Sequence, residues 1–474
     1  MTLPKPCETI KTFLEENPKK NLEYLNNPEF LSILANHLIG DTSTEEKLTH
    51  LRQHCLTALS QQNNGQTLWN NALIFLNALA LQCFFNEYIF FETQQEKELL
   101  SKLEQRIIKG QNLTLYDIAI YACYRPLHPL PRAQNLLTKL SSLDVMSHFT
   151  RILLAEPLEE MEIKKTIPTL TSIDDEISKL VKSQYEENPY PRWQNIRPPA
   201  KSLPFKETLQ INFPHLNDEG FTHINRKKTR TLIAGCGTGI QSINASLDIK
   251  NADILAVDLS ASSIAYAIRK TREYNINNIE YGIGDILKLE EIGEKFDVIQ
   301  CGGVLHHMHD PEKGWRVLNN CLKPGGFMCI ALYSNIARKQ IVAAQNFIKE
   351  NDFTSDIEGI RLGRKAIMAL PENNPAKAVI QRLDFYSASC CRDLIFHVQE
   401  HRYTLPEIKN ILKKLNLEFL GFLLGPNSSE IIQHYTQKFP DDPAMLNLEN
   451  WNQFERQNPG TFIGMYQFWL QKPA

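Results

Sequence analysis

The chain has 474 residues, 42% of them hydrophobic and 22% charged, with a formal net charge of −3. That is enough chain for two or three domains of ordinary globular composition. The balance excludes a protein drawn to nucleic acid or to an anionic membrane by overall charge. The first thirteen residues lack the apolar run of a secretion signal. The ten cysteines contain no C-x-x-C pair. These features point to reduced thiols in a cytoplasmic protein, with no disulfide framework and no metal site.

Residues 11–180 read as helix after helix, with apolar residues at helical spacing in 29–39, 48–59 and 96–108. The stretch 66–86 has no charged residue and contains Leu73-Ile74-Phe75-Leu76 and Cys83-Phe84-Phe85. Its amides Asn70, Asn71, Asn77, Gln82 and Asn86 would be costly in lipid. It is therefore expected to be a core helix and not a membrane span. Ser172 is placed to cap one more helix, with Asp174, Asp175 and Glu176 in its first turn.

That helix runs into Tyr185-Glu186-Glu187-Asn188-Pro189-Tyr190-Pro191-Arg192-Trp193. Two prolines within three residues end the helix and force extended backbone. So aromatic a segment suits either a lid over a ligand or a staple between domains. The expected boundaries are an all-helical domain over 1–182 and a lid and linker over 183–227.

Residues 231–239 read Thr-Leu-Ile-Ala-Gly-Cys-Gly-Thr-Gly. A short apolar run, three glycines at alternate positions and a following helical pattern form a strand, a tight turn and a helix. The spacing is G-x-G-x-G, and Ile240 stands where a dinucleotide fingerprint has its third glycine. The second strand ends in Asp258, an acid placed to accept hydrogen bonds from ribose hydroxyls. The third leads to Gly284-Asp285-Ile286, an acid and a branched apolar residue that suit an adenine. A fourth strand, 296–301, precedes Gly302-Gly303-Val304-Leu305-His306-His307. Leu322-Lys323-Pro324-Gly325-Gly326 then introduces a fifth strand over 327–332.

This order of landmarks resembles the class I methyltransferases that use S-adenosylmethionine (SAM). The resemblance covers residues 228–334. It implies an α/β fold with a seven-stranded Rossmann-like methyltransferase sheet, the last strand antiparallel. It implies SAM as cofactor, held by Gly235, Cys236, Gly237 and Gly239 at the turn. Asp258 with Leu259 would serve the ribose, Asp285 with Ile286 the adenine, and Cys301 would lie beside them. On the lid reading of the aromatic segment, Tyr185, Tyr190 and Trp193 would close over the donor; on the other they staple two domains. Segments 79–87, 384–400 and 464–469 are similar to landmarks of bacterial proteins that join a degenerate tetratricopeptide-like region to such a domain. The resemblance implies no particular acceptor.

Past the fifth strand, residues 335–403 read as a helical insertion at the sheet edge where ligands bind, a suitable substrate cover. Thr404 and Glu407 form a capping box, and strands at 417–424 and 461–470 complete the sheet within 404–474.

Methyl transfer from SAM is an in-line displacement that needs alignment and desolvation more than a reacting side chain. A base is required only for a protonated nucleophile; His306 and His307, just past the fourth strand, are the residues placed for that role or for facing the acceptor. The expected function is a SAM-dependent methyltransferase with a protein or small-molecule acceptor. The alternative is a non-catalytic SAM-binding or helical interaction protein. A helical N-terminal domain with no catalytic task suits a protein partner, and the mild charge argues against nucleic acid.

Overall fold

The computed structural model describes residues 25–61, 71–196, 201–224 and 228–474. Contacts divide the chain into two units. One joins Met1–Glu159 to Gln340–His397; the other joins Glu160–Lys339 to Val398–Ala474.

The second unit holds a seven-stranded sheet in the order β3-β2-β1-β4-β5-β7-β6. The strands are β1 Thr229–Ala234, β2 Ala252–Asp258, β3 Ile279–Ile283, β4 Phe296–Gly302, β5 Leu322–Tyr333, β6 Glu418–Phe422 and β7 Met465–Gln471. The first five are parallel, and β7 runs antiparallel between β5 and β6. This is the expected α/β, seven-stranded Rossmann-like arrangement. Order reverses between β1 and β4, the switch point at which open sheets of this kind bind ligands.

Alternation along the strands builds two cores. Leu232, Ala234, Leu255, Val257, Ile299 and Cys301 pack into one. Ile233, Ile254, Ala256 and Val298 pack into the other. Both faces being covered, the central strands β1, β2 and β4 carry apolar residues on both sides of the sheet.

Several boundaries differ from the sequence reading. β5 starts at Leu322 because Leu322 pairs with Phe296 before a bulge. β7 starts at Met465, and two helices, Ser428–Lys438 and Leu448–Gln457, occupy the β6–β7 connection. The helix Glu176–Glu187 is capped by Asp175, whose carboxylate accepts from the N–H of Ser178, and not by Ser172. It lies in the sheet-bearing unit, so the divide falls at Glu159 and not at 182.

The first unit is helical and has its own core. Helix Ala72–Phe85 is buried on nearly every side, and the Asn77 amide donates to the Val145 carbonyl at 2.9 Å. Residues 66–70 of the uncharged stretch lie outside the described residues. Among those described, no helix is long and apolar enough to cross a membrane. Helices of 20, 14, 16 and 8 residues follow one another here. These unequal lengths give the tetratricopeptide expectation no support.

The inserted helices Ile357–Met368 and Ala388–Ile395 belong to this same unit, within Gln340–His397. They share its apolar core, where Ile360, Ile367, Cys391 and Leu394 join Leu48, Phe75 and Leu100, and two buried ion pairs add to this. Arg364 donates to both Glu45 oxygens at 3.0 and 2.6 Å, and Arg361 pairs with Glu92 at 2.6 Å. All four side chains are buried, so stranding any one of these charges is costly. The Asn86 carbonyl accepts from Ala388 N–H at 3.2 Å, and the Glu87 carboxylate accepts from Ser389 N–H. Two separate sequence landmarks, 79–87 and 384–400, thus meet in one contact.

Candidate functional site

The turn after β1 is held from the tip of β2. Gly235 and Gly237 have φ of +76° and +51°, which side chains other than hydrogen rarely allow. The N–H groups of Gly235 and Cys236 donate to the Val257 carbonyl at 2.8 and 3.0 Å. Asp258 then accepts from Gly237 N–H on Oδ2 at 2.8 Å and from Ser260 N–H on Oδ1 at 2.9 Å. Burial pushes its carboxyl above the ordinary range, against the pull of the Ser260, Gly237 and Leu259 N–H groups.

Asp285 sits at the tip of β3, buried, with Oδ1 accepting from Leu287 N–H at 2.9 Å. Its own N–H donates to Thr171 Oγ1 at 2.8 Å. Thr171 is there because residues 168–171 run along the β3 edge: Leu170 N–H reaches the Ile283 carbonyl at 2.7 Å, and Ile283 N–H reaches the Pro168 carbonyl at 2.8 Å. Burial pushes the Asp285 carboxyl up, and nearby Asp175 and Asp174 add to this. Among the described residues, no lysine or arginine pairs with Asp258 or Asp285. Two carboxylates with oxygen lone pairs and no cation suit neutral hydrogen-bond donors such as hydroxyl and amino groups.

The aromatic segment lies against the glycine turn. Trp193 Nε1–H donates to the Thr238 carbonyl at 3.1 Å, and Thr238 Oγ1–H donates to the Pro191 carbonyl. A Cβ on Gly237 would stand 2.8 Å from the Tyr190 carbonyl oxygen. Tyr185 and Tyr190 stack at 6.2 Å between ring centroids. Tyr190–Pro191 is a cis peptide. The hydroxyls of Ser260 and Tyr266 donate to the Tyr185 and Trp193 carbonyls, and Lys270 Nζ donates to the Gln194 carbonyl. Core side chains thus hold this strap through its backbone. Ser260 caps the helix Ala261–Glu273 as its sequence position predicts, but sequence alone gave no signal that Thr238, Ser260, Tyr266 and Lys270 anchor the strap.

Cys236 and Cys301 are buried, and burial raises both thiols, with Asp258 adding to the effect at Cys236. Gly239, Leu259 and Ile286 stand at the β1 turn and at the tips of β2 and β3.

Both histidines after β4 are buried. The His306 ring stacks on Tyr333 at 3.8 Å, and the Arg338 guanidinium covers the Tyr333 ring at 3.6 Å. Arg338 pairs with Glu400. His307 Nδ1 faces the Gln399 carbonyl at 2.8 Å. A carbonyl only accepts, so Nδ1 carries the proton and the lone pair is on Nε2. Burial, opposed by the Gln399 carbonyl and helped by Arg338 and His401, holds the His307 pKa down at about 4. The imidazole is neutral at pH 7. Sequence reading missed Tyr333 and Arg338 here and held Gln399 and Glu400 only within the landmark 384–400, because the contacts join positions far apart in the chain.

Residues 225–382 match the family model described as a methyltransferase domain. An uncharacterized protein of Synechococcus sp. is 30% identical over 205 residues, 41% of this chain and 48% of that protein. A ubiquinone biosynthesis O-methyltransferase of Acinetobacter baumannii is 25% identical over 189 residues, 36% of this chain and 78% of that one. The structure of PKMT2 from Rickettsia typhi aligns over 57% of this chain and 53% of its own, with 19% identity and a TM-score of 0.43. The chain spans about half the length of the Synechococcus and Rickettsia proteins. On its seven-stranded α/β sheet, the chain carries a match to a methyltransferase domain over residues 225–382, a class of domain whose cofactor is S-adenosylmethionine.

Proposed function

We propose that the protein transfers a methyl group from SAM to an acceptor that is a protein or a small molecule. The observation that carries this reading is the joint between the first two strand tips, where Asp258 accepts from Gly237 and Ser260. It fixes a glycine turn and a half-buried acid at the switch point of a sheet that matches a methyltransferase domain.

SAM supplies a methyl group activated by a cationic sulfur. Gly235, Cys236, Gly237 and Gly239 offer backbone at the turn for its amino-acid end. Asp258, beside Leu259, accepts from the ribose hydroxyls with the lone pairs that the loop N–H groups leave. Asp285, beside Ile286, accepts from the adenine amino group. Tyr185, Tyr190 and Trp193, strapped to the turn, exclude water and offer aromatic faces near the sulfonium. Cys301 completes the apolar floor.

His307, with Nδ1–H held by the Gln399 carbonyl, faces the acceptor side of the loop as a neutral imidazole. A group that titrates near 4 holds a proton poorly at neutral pH, which argues against storage of the acceptor's proton there. His306, stacked on Tyr333, shapes the same loop. The rate then comes mostly from alignment. The helical unit, with a core of its own, supports the idea of a protein acceptor engaged outside the sheet.

Titration calorimetry of the full chain with SAM tests the donor assignment. One site per chain with a dissociation constant below about 100 μM is expected, near −5.5 kcal/mol on the affinity scale. No heat up to millimolar SAM contradicts it.

A further inference from the structure

Glu186 has no place in the donor or acceptor assignments above. It lies in the last turn of helix Glu176–Glu187, at the start of the strap. Its carboxylate reaches across to the helix that begins just after Asp258. Oε1 accepts from Ala261 N–H; Oε2 accepts from the Ser262 hydroxyl at 2.8 Å and from Lys164 Nζ. Lys164 Nζ also donates to Ser262 Oγ at 2.8 Å. The next link is again between strap and helix start, from the Ser260 hydroxyl to the Tyr185 carbonyl at 3.0 Å.

Helix Ala261–Glu273 has Ser260 as its N-cap, with Oγ accepting from Ser263 N–H at 3.1 Å. The N–H groups of its first turn have no partner within the helix. Two carboxylates divide these neighbours: Asp258 takes Ser260 N–H, and Glu186 takes Ala261 N–H and the Ser262 hydroxyl. A carboxylate at a helix N-terminus is also favoured by the helix dipole. One three-residue turn therefore sets the direction of the Asp258 carboxylate and anchors the strap.

We propose that Glu186 is a positioning residue that couples the strap to the donor site: it fixes the Ser260–Ser262 turn, and with it Asp258, while holding Tyr185, Tyr190 and Trp193 over the glycine turn. This rests on the reading of Asp258 as the ribose acid. Glu186 need not touch the donor. Loss of its charge frees the strap and loosens Asp258, so bound donor product leaves faster.

The test uses the full chain and S-adenosylhomocysteine. Wild type, Glu186→Gln and Ser262→Ala are compared for affinity by calorimetry, for release rate by stopped flow, and for acrylamide quenching of Trp193 against a Trp193→Phe control. Glu186→Gln is expected to weaken binding about tenfold, mainly through faster release, and to raise Trp193 quenching, as suits loss of hydrogen bonds to a charged group. Ser262→Ala, which leaves the charge and the Ala261 contact, is expected to weaken binding about threefold, and it keeps the proposal open to failure if Glu186→Gln does not fold. A role in stability alone would lower the melting temperature and leave release rate and quenching unchanged; that result overturns the proposal. Binding by wild type and equal binding by both variants also overturns it, with the donor reading intact. No binding by wild type up to millimolar ligand overturns the donor reading itself, and this coupling with it.

Discussion

The backbone N–H of Gly237 donates to Oδ2 of Asp258 at 2.8 Å, tying the turn after β1 to the tip of β2. The same carboxylate takes Ser260 N–H at 2.9 Å on its other oxygen. Asp258 is thus a structural part of the loop as well as the proposed ribose acid. Asp258→Asn is informative because an amide keeps one acceptor and turns a donor toward an N–H. It is expected to weaken SAM binding by about 1–3 kcal/mol and to lower stability by about 1 kcal/mol. Calorimetry and urea denaturation measure the two effects separately.

Gly237→Ala probes the opposite side of that joint. An added Cβ stands 2.8 Å from the Tyr190 carbonyl, in a backbone conformation that alanine resists. The backbone oxygen cannot swing aside as a side chain would, so the strap must move. SAM binding should fall at least tenfold and Trp193 quenching should rise, with the far-UV spectrum unchanged.

His307 predicts a pH dependence with a defined sign. Its pKa is held at about 4, below the ordinary value of 6.5, because burial disfavours the imidazolium. The unfolded chain therefore takes up this proton first as pH falls. The stability that the neutral imidazole contributes is complete above about pH 6.5. It is lost as pH falls towards about 4, at no more than ~1.4 kcal/mol per pH unit. Asp258, Asp285 and Glu455 have raised values, and so contribute in the opposite sense. Comparison of wild type with His307→Gln isolates the histidine: the variant should lose less stability between pH 6.5 and 4.5 in urea titrations.

In the helical unit, the Glu45–Arg364 pair should be far more costly to break than an exposed pair. Both side chains are buried, and Arg364 also donates to the Phe385 carbonyl at 2.8 Å. Glu45→Ala strands a buried guanidinium and is expected to cost about 3–5 kcal/mol. Glu162→Ala breaks the exposed pair with Lys165 and should leave thermal denaturation unchanged.

The sheet and its landmarks were legible because each landmark is local. Strand, turn and tip acid lie within a few residues of one another, and apolar runs mark strands buried on both faces. What sequence reading missed depends on pairing at long range. Nothing near Arg361 or Arg364 shows that their carboxylates are Glu92 and Glu45, so the membership of Gln340–His397 in the helical unit was not legible. Asp175 and not Ser172 is the cap because the helix starts at Glu176, and Ser172, outside it, bonds Asp174. The aromatic segment was visible by composition, yet its anchors are carbonyls, which carry no sequence signature.

The most direct test of the central claim is transfer of label from methyl-tritiated SAM. Full-length protein and Asp258→Asn are each incubated with the labelled donor and a bacterial cell extract, and macromolecules are then separated from small molecules. The account predicts label in a specific acceptor fraction with wild type and at least about fivefold less with Asp258→Asn at subsaturating donor. Label that is absent with wild type, or equal in the two, would contradict it.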